Sequence, residues 1–79
     1  MVKYMFTASW CGNCQVMKPI IEQIPNIAIM DVDKYPLLVQ KFNLMRIPAY
    51  VVDTEDGFRV ETGIKDRETL ENFYNEQEI

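Results

Sequence analysis

The chain has no histidine, only two cysteines and three glycines, and a single tryptophan among its 79 residues. A structural zinc site normally takes four cysteine or histidine ligands, so two thiols would need carboxylates or a second chain to complete one. The 8 basic residues are outnumbered by 12 acidic ones, and nucleic-acid binding, which needs clustered cations, is not expected. The sequence shows neither a membrane-length apolar run nor a signal-peptide pattern. We therefore expect a cytoplasmic protein with no membrane partner.

What is present is an ordinary globular composition, with 48% hydrophobic and 25% charged residues. A chain of this length makes one domain and leaves no room for a second, so residues 1–79 are predicted to form a single domain. In a cytoplasmic protein, two cysteines are more often catalytic or metal-binding than a permanent structural bridge.

The residue pattern predicts the element order βαβαββα, an α/β fold with one four-stranded mixed sheet and helices on both faces. The four strands are predicted at residues 2–8, 27–32, 49–53 and 58–62. The second of them has almost no polar alternation, which is typical of a strand covered on both faces. The Asp56-Gly57 pair predicts a hairpin between the last two.

Three helices are predicted between and after these strands. The first runs from Cys11 to the Pro25-Asn26 pair and contains Pro19, which should kink it. Its predicted buried face consists of Val16, Met17, Ile20, Ile21 and Ile24. The second is predicted to have Asp33 as its cap and to end near Asn43, and the third to begin with Asp66 as its cap.

Cys11 and Cys14 lie at the predicted mouth of the first helix. Free backbone N–H groups and the helix dipole favour negative charge there, so the pKa of the Cys11 thiol should be lowered. A thiolate is the attacking species in thiol–disulfide exchange, and Cys14, one turn later, could resolve a mixed disulfide across the small Gly12 spacer. Two buried structural cysteines and a metal shared between two chains also fit the spacing. The redox interpretation is favoured.

Trp10-Cys11-Gly12-Asn13-Cys14, with Pro19 five residues later, resembles the WCGPC motif and the helix-kinking proline of the thioredoxin family. Further motifs match that family in order and spacing. The other matches are Asp33 to Pro36 with the D-x-x-P segment, Arg46-Ile47-Pro48-Ala49 with the loop that holds a cis-proline, and Gly63 with a glycine of the substrate groove. The resemblance implies a minimal thioredoxin fold without the amino-terminal strand and helix of full-length thioredoxins, which leaves strand 27–32 at a sheet edge.

The same resemblance implies a protein-disulfide reductase with Cys11 as nucleophile and Cys14 as resolving thiol. Its redox centre would be the Cys11–Cys14 disulfide, with no bound cofactor and no metal. Substrate contacts are expected from Trp10, Gly12, Asn13, Ile47, Pro48 and Gly63, with the Ile47 backbone pairing with an extended client segment. A monomer of this family would receive reducing equivalents from NADPH through a thioredoxin reductase. It would pass them to disulfide-containing clients, ribonucleotide reductase among them.

Two alternatives stay open from the sequence. One is a glutaredoxin-like oxidoreductase recycled by glutathione, with Arg46 holding a glutathione carboxylate. The other is a redox-inactive module that binds a partner through Trp10, Ile47 and Pro48.

Two positions depart from the family pattern. Met5 stands where thioredoxins carry a buried aspartate, so we expect slower resolution of the mixed disulfide. Asn13 replaces a proline and restores a backbone donor near Cys11, which should shift the couple toward a more oxidising potential.

Overall fold

The computed structural model describes residues 1–75, which form seven elements in the predicted order. The strands are β1 (Val2–Thr7), β2 (Ala28–Asp31), β3 (Ala49–Thr54) and β4 (Gly57–Thr62). The helices are α1 (Gly12–Glu22), α2 (Pro36–Lys41) and α3 (Arg67–Asn75). The predicted succession βαβαββα is confirmed.

The four strands make one mixed sheet in the order β2-β1-β3-β4. Strand β1 runs parallel to β2 and antiparallel to β3, and β3 and β4 form the predicted hairpin around the turn before Gly57. In this register Met5 lies between Ile29 of β2 and Tyr50 of β3. The mixed sheet and the edge position of β2 are as predicted.

The core lies on both faces of the sheet, because successive side chains of a strand point to opposite sides. Met5 packs on the face covered by α1 and α3, in a cluster that includes Met17, Ile21, Leu70 and Phe73. Phe6 packs on the other face with Phe42, the residue that follows α2. Helices therefore flank the sheet on both sides, as predicted.

Helix α1 differs from its prediction in one face residue and in its end. Its fully buried stripe is Cys14, Met17 and Ile21, spaced by three and four residues, and Val16 on the adjoining face is exposed. The assignment of Val16 to the buried face is therefore wrong. The helix ends at Glu22, before the predicted Pro25, because the N–H groups of Gln23 and Ile24 already bond carbonyls three residues back.

The prediction that both faces of β2 are covered is wrong. Ile29 is 38% exposed and Ala28 is exposed as well. The strand side chains that the two clusters bury come from β1 and β3, whereas Met30 of the edge strand β2 is only partly buried. A run of apolar residues cannot by itself distinguish an edge strand from a central one.

Of the three residues predicted to mark helix boundaries, two are confirmed and one is wrong. Asp66 accepts the Thr69 N–H at 2.8 Å, so the predicted cap of α3 is confirmed. Asn43, with a φ of 52°, marks the end of α2 as predicted. Asp33 does not cap α2: that helix begins at Pro36, which has no N–H to satisfy, and its N-cap residue is Tyr35.

Candidate active site

Cys11 and Cys14 lie where the loop after β1 enters α1. Cys11 is the N-cap residue in an extended conformation, with its N–H on the Ala8 carbonyl, and Cys14 lies in the first helical turn. Their Cα atoms are 5.3 Å apart and the two sulfur atoms are joined in a disulfide. The structure therefore holds the pair in its oxidised form.

The two sulfur-bearing residues differ in access. Cys11 is 8% exposed and Cys14 is completely buried, so an approaching disulfide can reach only Cys11. The Cys14 N–H donates to Cys11 Sγ at 3.2 Å. A backbone donor at a helix N-terminus aimed at sulfur is the arrangement that stabilises a thiolate once the pair is reduced.

The loop before β3 faces the pair. The Ile47–Pro48 peptide bond is cis, which confirms that part of the resemblance, and Pro48 is buried. Cys11 Sγ lies 3.9 Å from the Ile47 carbonyl oxygen. The fold thus brings two segments 36 residues apart in sequence into direct contact.

Gly63, directly after β4, is joined to this loop. Its N–H donates to the Pro48 carbonyl oxygen at 2.9 Å, and its φ of 92° lies in the region that favours glycine. Its own carbonyl oxygen accepts the Tyr50 hydroxyl at 2.7 Å. Ile47 therefore contacts Cys11 directly, and Gly63 is joined by one hydrogen bond to Pro48, the residue after Ile47.

Trp10, directly before Cys11 in the chain, is 67% exposed. Its indole N–H donates to the Asp33 carboxylate at 3.0 Å, which fixes a side chain that would otherwise be free to turn in solvent. This role of Asp33 was missed by the sequence analysis. The signal was available, because Asp33 follows β2 and the carboxyl ends of the parallel strands β1 and β2 meet at one edge of the sheet.

A shallow groove lies between Trp10 and the cis-proline loop. It is lined by Trp10, Val32, Val39, Leu44, Met45, Arg46 and Ile47. Arg46 is the charged member of this apolar lining. Gly12 and Asn13, which follow Cys11 in the first turn of α1, are both exposed.

Among residues 1–75 no carboxylate side chain is buried, and the buried polar residue is Thr7. Met5 is completely buried in the same core cluster as Cys14. The ionisable members besides the cysteines are Tyr50 and Tyr74, and burial raises the pKa of both phenols well above the ordinary value of 10.0. Neither phenol can therefore accept a proton from Cys14 near neutral pH.

Residues 1–75 contain no group of three histidine, cysteine or acidic side chains placed to hold a metal ion. None of the helices in this range has the length and apolar character that crossing a bilayer requires.

The family model for thioredoxin matches residues 2–76, nearly the whole chain. The chain belongs to the thioredoxin family. The thioredoxin of Listeria monocytogenes is 35% identical over 79 aligned positions, which cover 89% of this chain and 76% of the relative. A thioredoxin-like protein of Synechocystis is 35% identical over 54 positions, and the match spans about half (51%) of that protein's length.

Solved structures show the same fold. A mutant thioredoxin from Halobacterium salinarum superposes with a TM-score of 0.78 at 23% identity, covering 95% of this chain and 72% of that one. Chloroplastic thioredoxin z gives 0.75 at 21% identity, covering 98% and 77%. The predicted family and fold are thus confirmed. Family membership and the Cys11–Cys14 disulfide together support a thiol–disulfide oxidoreductase, and none of the comparisons favours a glutaredoxin or a redox-inactive module.

Proposed function

We propose that this protein reduces protein disulfides by a dithiol mechanism, with Cys11 as the nucleophile and Cys14 as the resolving thiol. The observation that carries the proposal is the Cys11–Cys14 disulfide at the start of α1, with Cys11 as its accessible end, in a chain of the thioredoxin family. Only the accessible sulfur can attack a client, and only the neighbouring sulfur is placed to release it.

In the reduced protein, the Cys11 thiolate attacks one sulfur of the client disulfide. A bond forms between Cys11 and that sulfur, and the other client sulfur leaves as a thiolate. Cys14 then loses its proton and attacks Cys11 Sγ, which re-forms the Cys11–Cys14 disulfide and releases the second client thiolate. Two electrons pass from the protein to the client, and the oxidised state of the structure is the product.

An extended client segment fits the surroundings of Cys11. It would lie over Pro48 and pair with the Ile47 backbone, between the Trp10 ring and Gly63, with Gly12 and Asn13 on the rim. The support is the contact of Ile47 with Cys11, the hydrogen bond that ties Gly63 to Pro48, and the Asp33 bond that holds Trp10.

The oligomeric state, the location, the source of electrons and the clients are proposed by analogy with the family. Residues 1–79 would act as one domain and as a monomer in the cytoplasm, and a thioredoxin reductase would return two electrons from NADPH after each turnover. Disulfide-containing proteins, ribonucleotide reductase among them, are the proposed clients. The support is the family match and the bacterial relatives named thioredoxin.

Trapping of the mixed disulfide tests the proposal. Cys14→Ser keeps the nucleophile and removes the resolving thiol. The reduced variant should therefore accumulate a mixed disulfide with insulin that dithiothreitol cleaves. The matched variant Cys11→Ser retains the buried thiol alone and should form no adduct. Non-reducing gel electrophoresis with mass spectrometry measures both.

Recycling is tested separately with the unaltered protein. Insulin reduction should proceed with NADPH and a thioredoxin reductase, and more slowly with glutathione and its reductase. No adduct with Cys14→Ser together with no insulin reduction would favour the redox-inactive module. Faster turnover with glutathione would favour the glutaredoxin-like alternative.

A further inference from the structure

Gly63 is held to the start of β3 through both of its backbone polar groups. Its N–H bonds the Pro48 carbonyl at 2.9 Å, and its carbonyl oxygen accepts the Tyr50 hydroxyl at 2.7 Å. The turn after β4 is thus tied to the cis-proline loop on one side and to a core side chain on the other. Because that loop contacts Cys11, the position of Gly63 relative to the nucleophile is fixed as well.

The Tyr50 side chain suits this task. Its ring is completely buried in the cluster that holds Cys14, and a buried phenol needs a hydrogen-bond partner. The Gly63 carbonyl is that partner. Burial raises the pKa of Tyr50, so the hydroxyl remains a donor throughout the neutral range.

The space that a side chain at position 63 would occupy is empty. No described heavy atom beyond its chain neighbours lies within 4 Å of the position that a Cβ would take, so packing does not require glycine there. The φ of 92° does, because residues with a side chain rarely adopt it. The peptide is thus held from the core side while its outer side is available to a client.

We propose that Tyr50 is a positioning residue for client binding: its hydroxyl holds the Gly63 peptide against Pro48, so that the site beside Cys11 is shaped before a client segment arrives. This role rests on the proposed function. A loop that is already ordered costs less free energy to bind. Tyr50 has no part in the exchange of sulfur bonds, so it should matter for extended clients and not for small disulfides.

Tyr50→Phe keeps the ring and removes only the hydroxyl. The reduced variant is mixed in a stopped-flow instrument with insulin or with dithiobis(nitrobenzoic acid). The second compound is a small aromatic disulfide with no peptide segment that could contact Gly63. We expect the second-order rate constant with insulin to fall about fivefold, the effect of one lost hydrogen bond. The rate constant with the small disulfide should stay within about twofold.

The chain offers a matched control in Tyr74→Phe. The Tyr74 hydroxyl is also buried and donates to a backbone carbonyl, that of Tyr4, at 2.6 Å, but its partner lies in β1 away from the loop. This variant should lose a comparable part of its resistance to urea and keep both rate constants. If Tyr50→Phe is too unstable in buffer alone, its rate constants and those of the parent are measured in a stabilising osmolyte, with the same expectation.

The outcomes separate the two proposals. If Tyr50→Phe slows both disulfides equally, or if Tyr74→Phe reproduces its selective loss, Tyr50 supports only the fold and the positioning role is overturned. If the unaltered protein reduces the small disulfide but not insulin, the proposed function fails, and the positioning role fails with it. Unchanged insulin reduction by Tyr50→Phe overturns the role of Tyr50 alone.

Discussion

Met5 determines much of the environment in which Cys14 must lose its proton. It is completely buried in the cluster that contains Cys14, at the position that the resemblance matches to a buried aspartate of the family. Burial among apolar side chains disfavours the thiolate form of Cys14. The phenols of Tyr50 and Tyr74 stay protonated near neutral pH because their pKa values are raised, so they cannot take the proton of Cys14. The expectation of slow resolution follows from these residues and stays a prediction.

Met5→Asp should speed the resolving step at neutral pH. A carboxylate beside Cys14 can accept its proton, and general-base assistance of this kind contributes about a hundredfold or more where it is well placed. A modest gain of about tenfold is expected, because the new group has no prepared surroundings. Decay of the mixed disulfide, followed by stopped-flow with a fluorescent peptide disulfide, measures the step.

The matched control is Met5→Asn, which buries a polar group of similar size that cannot take a proton. Both variants should be less stable than the parent, because a buried polar group without partners costs about 1–3 kcal/mol. Circular dichroism confirms that each is folded before its rate is compared. Equal resolving rates for Asp and Asn would show that proton removal does not limit the step.

Among the elements, α3 is stabilised by a local cap whose effect depends on pH. Hydrogen bonds from Thr69, first its side chain and then its N–H, hold the pKa of Asp66 below its ordinary value of 3.8. A carboxyl group with a lowered pKa in the folded state stabilises the fold above the unfolded value and loses that effect as pH falls through the folded value.

Asp66→Ala should therefore lower the melting temperature at pH 7 by a few degrees, and the difference from the parent should become smaller at a pH below the folded pKa. Asp66→Asn retains an oxygen acceptor without the titrating group. It should melt near the parent at neutral pH and keep that stability in acid, as measured by scanning calorimetry. A pH-independent difference for Asp66→Ala would contradict the assigned cap.

Local features of the elements were predictable from their own residues, and the family resemblance predicted the edge position of β2. Side-chain exposure and contacts between distant residues were not predicted. The Asp66 cap, the hairpin at Gly57 and the Cys11 helix mouth depend on residues within four positions of one another, and all three were predicted. The exposure of Ile29 depends on which strands lie beside β2. The Asp33 bond to Trp10 joins residues 23 apart, so a local cap was assigned to Asp33 instead.

For the whole molecule, the two buried tyrosines predict a loss of stability in alkali. Burial raises the pKa of Tyr50 and Tyr74 in the folded protein, and for Tyr74 the charge of an ionised Tyr50 adds to it. With a folded pKa above the unfolded value of 10.0, the stabilisation is fully present below 10.0 and is lost as pH rises beyond it. Above pH 10.0, unfolding therefore releases the phenol protons that Tyr50 and Tyr74 retain in the folded protein.

The free energy of unfolding from urea titrations should decline above the unfolded pKa of 10.0. Each buried tyrosine contributes a slope of at most about 1.4 kcal/mol per pH unit. Tyr74→Phe should remove its share of that slope. Tyr35→Phe, at an exposed position, should leave the slope unchanged. A slope that Tyr74→Phe does not alter would show that another group is responsible.

The contacts between the first strand and the last helix have a consequence for handling the protein. Tyr74 bonds the Tyr4 carbonyl and Lys3 bonds Asn75, so the ends of the described segment meet at the start of β1. The thiol pair follows the other end of that six-residue strand, about 20 Å away. A solid support or a fused cargo attached beside Lys3 or Asn75 would leave the reactive sulfur facing outward.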